Sequence, residues 1–328
     1  MAIFHVIAPG LFDTTSFNEA YQMSGVVGTD GHEYFTPAHN NTLDDDVIPA
    51  WPSAMDTMIL QFWMRTSDVS TQEIIRAQEL GSGVSHARYR IKSSGELEIT
   101  NNTTVIGTSV NTFSVDTWYY IQIESFIDNS VGTHVVKVDG VEWLNITATD
   151  TQNGGVGVID TLLFQTSAAV DFADMILADD SGTDFNSMSA NELSILPLMP
   201  NAAGDDTDWT PSTGDNFETV NEDPLSETDY NESSTDTHKD THNLDASAGV
   251  NTMICFIPFA VAEMTAADAA SINGVAKHST SEAAGPDELL VQNRLKMFQS
   301  FAYDNPSTSS AWSVSEVDAA LAGYELSV

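Results

Sequence analysis

From residue 57 to residue 177 the chain repeats one pattern, a short run of side chains with a period of two followed by a turn signal, and this limits it to an all-β fold. Residues 57–65 place Met58, Leu60, Phe62 and Met64 on one side and Ile59, Gln61, Trp63 and Arg65 on the other. Both rows are largely apolar, as expected of a central strand covered on both faces. Residues 87–91 and 96–100 flank Ser93-Ser94-Gly95, a hairpin signal. Residues 118–126 send Tyr119, Ile121 and Ile123 one way, and Trp118, Tyr120, Gln122 and Glu124 the other. Residues 134–138 and 141–144 are joined by Asp139-Gly140, which supplies the positive φ angles of a two-residue primed turn. Residues 161–166 and 171–177 add two more strands. Short strands at this spacing, with almost no helical periodicity, predict a sandwich or jelly roll.

Near residue 190 the composition shifts. Residues 191–199 look like one more strand, and residues 201–245 are rich in Ser, Thr, Asp and Asn. A disordered acidic linker is one reading of that stretch. Trp209, Phe217, Val220 and Tyr230 recur along it, each large enough to anchor a loop, so an ordered, extended segment draped over a neighbouring domain is the expectation. Residues 250–261 form an apolar run with β-branched and aromatic content, a buried strand. Residues 269–279 are predicted as another, with a short helix capped by Thr265 as the alternative, and residues 293–303 alternate as a strand does. Ser313-Val314-Ser315-Glu316 fits a capping box; Val314, Val317 and Leu321 follow at helical spacing, and Gly323 is expected to end the turn. The organisation expected is a first sandwich over 1–190, an acidic connecting segment over 191–248, and a smaller β-sandwich domain over 249–328 with a short C-terminal helix.

Charge narrows the function classes. Ten Lys and Arg stand against 48 Asp and Glu, a formal net charge of −38. Partners that present phosphate need basic groups to neutralise it, so no nucleic-acid partner is expected. The carboxylates are spread along the chain, so the whole surface is acidic. Cys255 is the only cysteine, within Met253-Ile254-Cys255-Phe256-Ile257, and is expected to be a small buried hydrophobe. The first residues lack the pattern of a secretory signal and no window is long and apolar enough for a membrane span, so no membrane insertion is expected.

Phe62-Trp63-Met64-Arg65, Trp118 opening an alternating strand, and Val136-Lys137-Val138-Asp139-Gly140 resemble the laminin G-like members of the concanavalin A-like superfamily. The strand around Phe172-Ala173-Asp174-Met175-Ile176-Leu177, followed by Asp179-Asp180-Ser181-Gly182, is similar to the strand that closes that jelly roll. Further on, Pro200, Asp208-Trp209-Thr210-Pro211, Asp229-Tyr230, Lys239-Asp240, Asn305-Pro306 and Ala311-Trp312-Ser313-Val314-Ser315-Glu316-Val317 with Gly323 look like the C-terminal half of structural proteins of tailed phages. The resemblance implies a concanavalin A-like jelly roll over the first half and a place in the virion for the whole.

The superfamily includes glycan hydrolases and lyases, so catalytic groups matter. Hydrolases of this kind carry carboxylates at alternate positions of one strand; here only Glu96 and Glu98 qualify, with Thr100 in the third place. Arg88, Tyr89 and Arg90 are adjacent, so they point to opposite faces and do not converge as a lyase site requires. His238 and His242 have the spacing of two zinc ligands on a helix, but in a stretch without helical pattern. Asp44, Asp45 and Asp46, and Asp179 and Asp180 with Asp184, supply hard oxygens in loops. The resemblance implies calcium near a glycan site, and these six are the candidate ligands; solvated turn residues are the competing reading. Trp118, Tyr120 and Trp143 lie on strands expected to neighbour one another and are the candidate glycan platform, with core packing as the competing use.

The expectation is a non-catalytic virion structural protein assembled in the host cytoplasm: a tail-fibre or tail-associated subunit, in contact with other virion proteins, forming a homo-oligomer, and touching a host-surface glycan. A capsid decoration or head-fibre protein is the alternative, and a carbohydrate-active enzyme the third.

Overall fold

The computed structural model describes residues 5–7, 26–27, 33–34, 41–43, 55–79, 83–164, 170–181, 186–221, 228–247, 249–250, 252–253, 255–265, 269–290, 292 and 296–328. The chain divides into two compact units, Met1–Ile195 and Leu196–Val328.

The strands of the first unit are, in chain order, β1 (His5–Ile7), β2 (Val26–Val27), β3 (Glu33–Tyr34), β4 (Asn41–Leu43), β5 (Thr57–Thr66), β6 (Gln72–Glu79), β7 (Val84–Ile91), β8 (Glu96–Asn101), β9 (Thr104–Thr112), β10 (Trp118–Phe126), β11 (Gly132–Val138), β12 (Val141–Thr149), β13 (Thr161–Phe164) and β14 (Val170–Ala178). Two six-stranded sheets form the sandwich. The front sheet runs β1-β14-β5-β10-β11-β12 and the back sheet β4-β13-β6-β7-β8-β9, while β2 and β3 pair apart. Alternation along each strand decides what enters the layer between the sheets. From β5 it takes Met58, Leu60, Phe62 and Met64, from β10 Ile121 and Ile123, and from β14 Phe172, Met175 and Leu177. The back sheet contributes Ile75, Ala77, Ala87, Tyr89, Ile91, Leu97 and Ile99. Phe62 and Phe172 meet with ring centroids 5.5 Å apart. Asp139 and Gly140 both take positive φ, 50° and 73°, the two-residue primed turn expected between β11 and β12.

One polar group crosses this apolar layer. Tyr89 of the back sheet hydrogen-bonds Ser125 of β10, and Ser125 Oγ lies 2.9 Å from His134 Nδ1 on β11. All three residues are buried. The bonds among Tyr89, Ser125 and His134 fix which side chains face each other more sharply than apolar contact does, while His134 Nε2 stays without a partner among the described residues.

The second unit contains β15 (Pro200–Thr207), β16 (Thr210–Pro211), β17 (Asn231–Glu232), β18 (Lys239–Leu244), β19 (Phe259–Ala262), β20 (Ser271–His278), β21 (Ser281–Ala284), β22 (Glu288–Leu289), β23 (Lys296–Gln299), β24 (Asp304–Asn305), β25 (Ser310–Ala311), the helix α1 (Val314–Val317) and β26 (Leu321–Ser327). Its main sheet runs β15-β18-β26-β20-β21, with β22 alongside β20. The stretch expected to connect two domains therefore supplies β15 and β18 to this sheet, where β18 pairs β26 from His242↔Ala322 to Lys239↔Glu325. Its alternation was hidden because Asp205, Asp206, Lys239 and Asp240 hold strand positions where apolar residues were sought.

Buried Asp240 organises the polar loop between β15 and β18. It accepts from the Trp209 backbone N–H at 3.0 Å, from Asn216 Nδ2, and from the Tyr324 hydroxyl at 3.4 Å. Asn231 Nδ2 donates to Tyr324 Oη at 2.7 Å, and Thr219 Oγ1 to Asn231 Oδ1 at 2.6 Å. Trp209 stacks edge-on against Tyr324 at 4.9 Å. Burial pushes the Asp240 carboxyl up, and the hydrogen bonds it receives oppose that shift. Of the four expected anchors Trp209 packs on Tyr324 and its cluster, and Asn216, Thr219 and Asp240 do the rest of the anchoring; Phe217 and Val220 are half-buried and Tyr230 is exposed.

Several sequence expectations need correction here. Residues 191–199 are not a strand; Leu193 is buried, but the backbone of this stretch pairs with no strand. Of residues 250–261, Phe259–Ala262 is a strand and Phe256 makes one bridge to Ala302, while residues 251 and 254 lie outside the described set. Cys255 is half-buried. The Ser313 capping box is present, with Ser313 Oγ accepting from the Glu316 N–H, but the helix ends at Val317. Leu321 and Gly323 belong to β26, and a Cβ on Gly323 would stand 1.9 Å from the Asp240 carbonyl oxygen. Glycine is required there by the close crossing of two backbones, not by a helix stop.

Asp240→Ala is expected to leave the Trp209 N–H without an acceptor and the Asn216 amide with only the Trp209 carbonyl, and to destabilise the second unit by about 2–4 kcal/mol. Urea unfolding of the full chain followed by Trp fluorescence checks this.

Candidate functional site

The outer face of the front sheet carries the polar and aromatic groups of the first unit in ordered rows. The antiparallel register sets Trp118 opposite Arg65, Tyr120 opposite Trp63, and Gln122 opposite Gln61, and β14 continues the first row with Asp171 opposite Arg65. In that row the Arg65 guanidinium lies 5.0 Å from the Trp118 ring centroid and donates to Asp171 Oδ2 from Nε at 3.1 Å and Nη2 at 2.8 Å. In the second, the Trp63 and Tyr120 rings lie 5.3 Å apart. In the third, Gln122 Nε2 donates to Gln61 Oε1 at 2.9 Å, and the Tyr120 hydroxyl reaches the same oxygen at 3.3 Å.

Residues 186–195 cross the second and third rows as a strap. The peptide groups of Ser189 meet the glutamine pair from both sides: its N–H donates to Gln61 Oε1 at 3.0 Å and its carbonyl accepts from Gln122 Nε2 at 2.7 Å. Trp63 Nε1 donates to the Leu193 carbonyl at 3.2 Å, and the Leu193 side chain is buried. Beneath the strap Tyr120 is 1 % exposed, and burial pushes its phenol up, so it stays protonated.

The three aromatic residues expected to form one platform are therefore separated. Trp118 is half-buried at the rim of the outer face, and Tyr120 lies under the strap. Trp143 turns the other way: its ring packs on Phe113 at 4.7 Å and Tyr119 at 6.3 Å, against the core. The cause is a register shift between β11 and β12, where Val136 faces Leu144 but Lys137 faces Glu142, leaving Trp143 as the extra residue. Such a bulge redirects a side chain that strict alternation would place outward.

Of the six candidate calcium ligands, Asp44, Asp45, Asp46 and Asp184 lie outside the described residues. Asp179 Oδ1 accepts from the Ser181 N–H and hydroxyl at 3.0 and 2.6 Å, and Asp180 Oδ2 accepts from Thr57 Oγ1 at 3.1 Å. Among the described residues no three His, Cys, Asp or Glu side chains gather as a metal would require. His238 stands one residue before β18 and His242 within it, so four residues of extended chain, about 13 Å, separate them. His238 Nδ1 contacts Ser233 Oγ at 2.9 Å, whereas His242 is buried beside Tyr324. Glu98 accepts from Arg90 at 3.3 Å and Glu96 from Ser94.

The sequence reading missed the glutamine pair, because Gln61 and Gln122 occupy positions where alternation alone promises only a solvated polar side chain. It also missed that three histidines, His86, His134 and His242, are buried. Burial lowers the pKa of His134 to about 4 and that of His242 to about 4.

Compared with known proteins, the chain matches no family model and no curated sequence. Among solved structures it is similar to a sialidase (8 % identity, TM-score 0.34, over 45 % of this chain and 15 % of that one). It is also similar to the pentraxin of Limulus polyphemus (11 %, TM-score 0.30, 43 % and 70 %) and to the galectin LEC-6 of Caenorhabditis elegans (10 %, TM-score 0.29, 44 % and 95 %). The chain thus spans about a seventh of the length of that sialidase.

Two outcomes are expected. Gln122→Leu leaves the Ser189 carbonyl without its donor and loosens the strap, costing about 1–3 kcal/mol and raising acrylamide quenching of Trp63. The second concerns acid. A histidine held near 4 in the folded chain and near 6.5 when unfolded weakens folding as pH falls from about 6.5 to about 4, because only the unfolded state takes up the proton. His134 contributes up to about 3 kcal/mol of that loss, and His134→Leu removes its share, as urea titrations at about pH 7 and about pH 4.5 will report.

Proposed function

We propose that the chain is a non-catalytic structural subunit of a tailed-phage particle, tail-associated, whose first sandwich touches a glycan at the Trp118 rim of the front sheet. The observation that carries the contact is the row Trp118–Arg65–Asp171, which sets an indole, a guanidinium and a carboxylate side by side on three adjacent strands. Sugars are held by that combination: a ring face stacks on the indole and hydroxyls bond the charged pair. The row stands on a rigid sheet, which favours recognition by shape over chemistry that needs moving groups. Support for the particle comes from the likeness of the second half to phage structural proteins and from a surface acidic enough to keep many crowded copies in solution.

A glycan array probed with the full chain tests the contact. Binding to at least one glycan class that Trp118→Ala abolishes, with the unfolding midpoint unchanged, is the expected result. Binding that survives Trp118→Ala, no binding at all, or release of new reducing ends during the incubation contradicts it.

A further inference from the structure

We propose that the outer edge of β9 is a self-association edge, along which a second copy of this chain adds its own β9 to extend the back sheet. β9 ends the order β4-β13-β6-β7-β8-β9, paired on one side by β8 and on the other by no strand among the described residues. It is nine residues long and largely exposed, with Val105 at 52 % and Val110 at 92 %. A long bare strand edge presents a row of unpaired N–H and C=O groups, and natural sheets usually defend such edges with charge.

The other edges of the six-stranded sheets whose side chains are described follow that rule. β12 carries Glu142, β15 carries Asp205 and Asp206, and β21 carries Glu282. β9 does not: from Ile99 to Val115 no residue is charged, in a chain with net charge −38. An uncharged edge, broken only by the two register shifts that β9 makes against β8, is in a molecule so rich in carboxylates the place where two copies approach with least repulsion.

The occupant that fits is a second copy. Antiparallel pairing about a two-fold axis sets this strand against itself, and Thr, Val, Ile, Ser and Asn meet their own kind with no unmatched charge in any register. A partner drawn by the acidic surface would be basic and would find no carboxylate on β9 to hold it. The remaining surface of each copy still repels the other, and salt screens that repulsion. Self-association is therefore expected to tighten as salt rises. The inference stands whether or not the glycan reading holds, since neither Trp118 nor the strap takes part.

Sedimentation velocity of the full chain across protein and salt concentrations is the test. The expected result is a reversible dimer that strengthens with salt, weakened by about tenfold or more in Val110→Asp and in Val105→Asp, each of which introduces a carboxylate that meets its copy. Both side chains are exposed, so the unfolding midpoint stays at the wild-type value. Val131→Asp, in the turn between β10 and β11, dimerises as the wild type does. A chain that stays monomeric in every condition, a dimer indifferent to both β9 substitutions, or one equally weakened by Val131→Asp overturns the proposal.

Discussion

Burial of β5 on both faces is the constraint on which the first unit depends. One face supplies Met58, Leu60, Phe62 and Met64 to the layer between the sheets, and the other sets Gln61 and Trp63 against the strap and buries Ile59. Burying those side chains yields about 1.5–3 kcal/mol each, and this apolar gain is what holds together a chain whose carboxylates repel one another. Covering the second face brings polar atoms with it. The Gln61–Gln122 pair satisfies the peptide groups of Ser189, so the strap closes without leaving buried donors or acceptors unmatched.

Scarcity of positive charge shapes the rest. Lys239 lies between Glu282 and Glu325, Lys277 between Asp205 and Asp206, and Arg65 against Asp171. Burial works against the charged form of both lysines, and their carboxylate partners more than offset it, so both pKa values rise. Where no cation is at hand, as at Asp240, amides, a phenol and a backbone N–H stabilise the carboxylate instead. Both devices spend polar groups on architecture. The rim of the front sheet remains the place where an aromatic and charged pair lie together on a rigid surface.

Much of the first unit was legible in the sequence, because a period of two with turn residues between runs reports strand after strand, and Asp139-Gly140 announced its turn outright. Which aromatics converge was not legible: the bulge that turns Trp143 to the core depends on pairing, which no single strand encodes. The second unit was read less well. β15 and β18 pair through polar sequence, and the loop between them is held on Asp240. Gly323 shows the same limit, since the crossing backbone that demands a glycine lies far away in the sequence.

The proposed place in a phage particle is the central claim, and immunogold labelling of intact phage particles with an antibody against this chain tests it most directly. Gold at the tail or its tip is the predicted result. Gold spread over the head contradicts the tail assignment and makes the chain a shell decoration, and particles that stay unlabelled both intact and opened contradict the virion assignment itself.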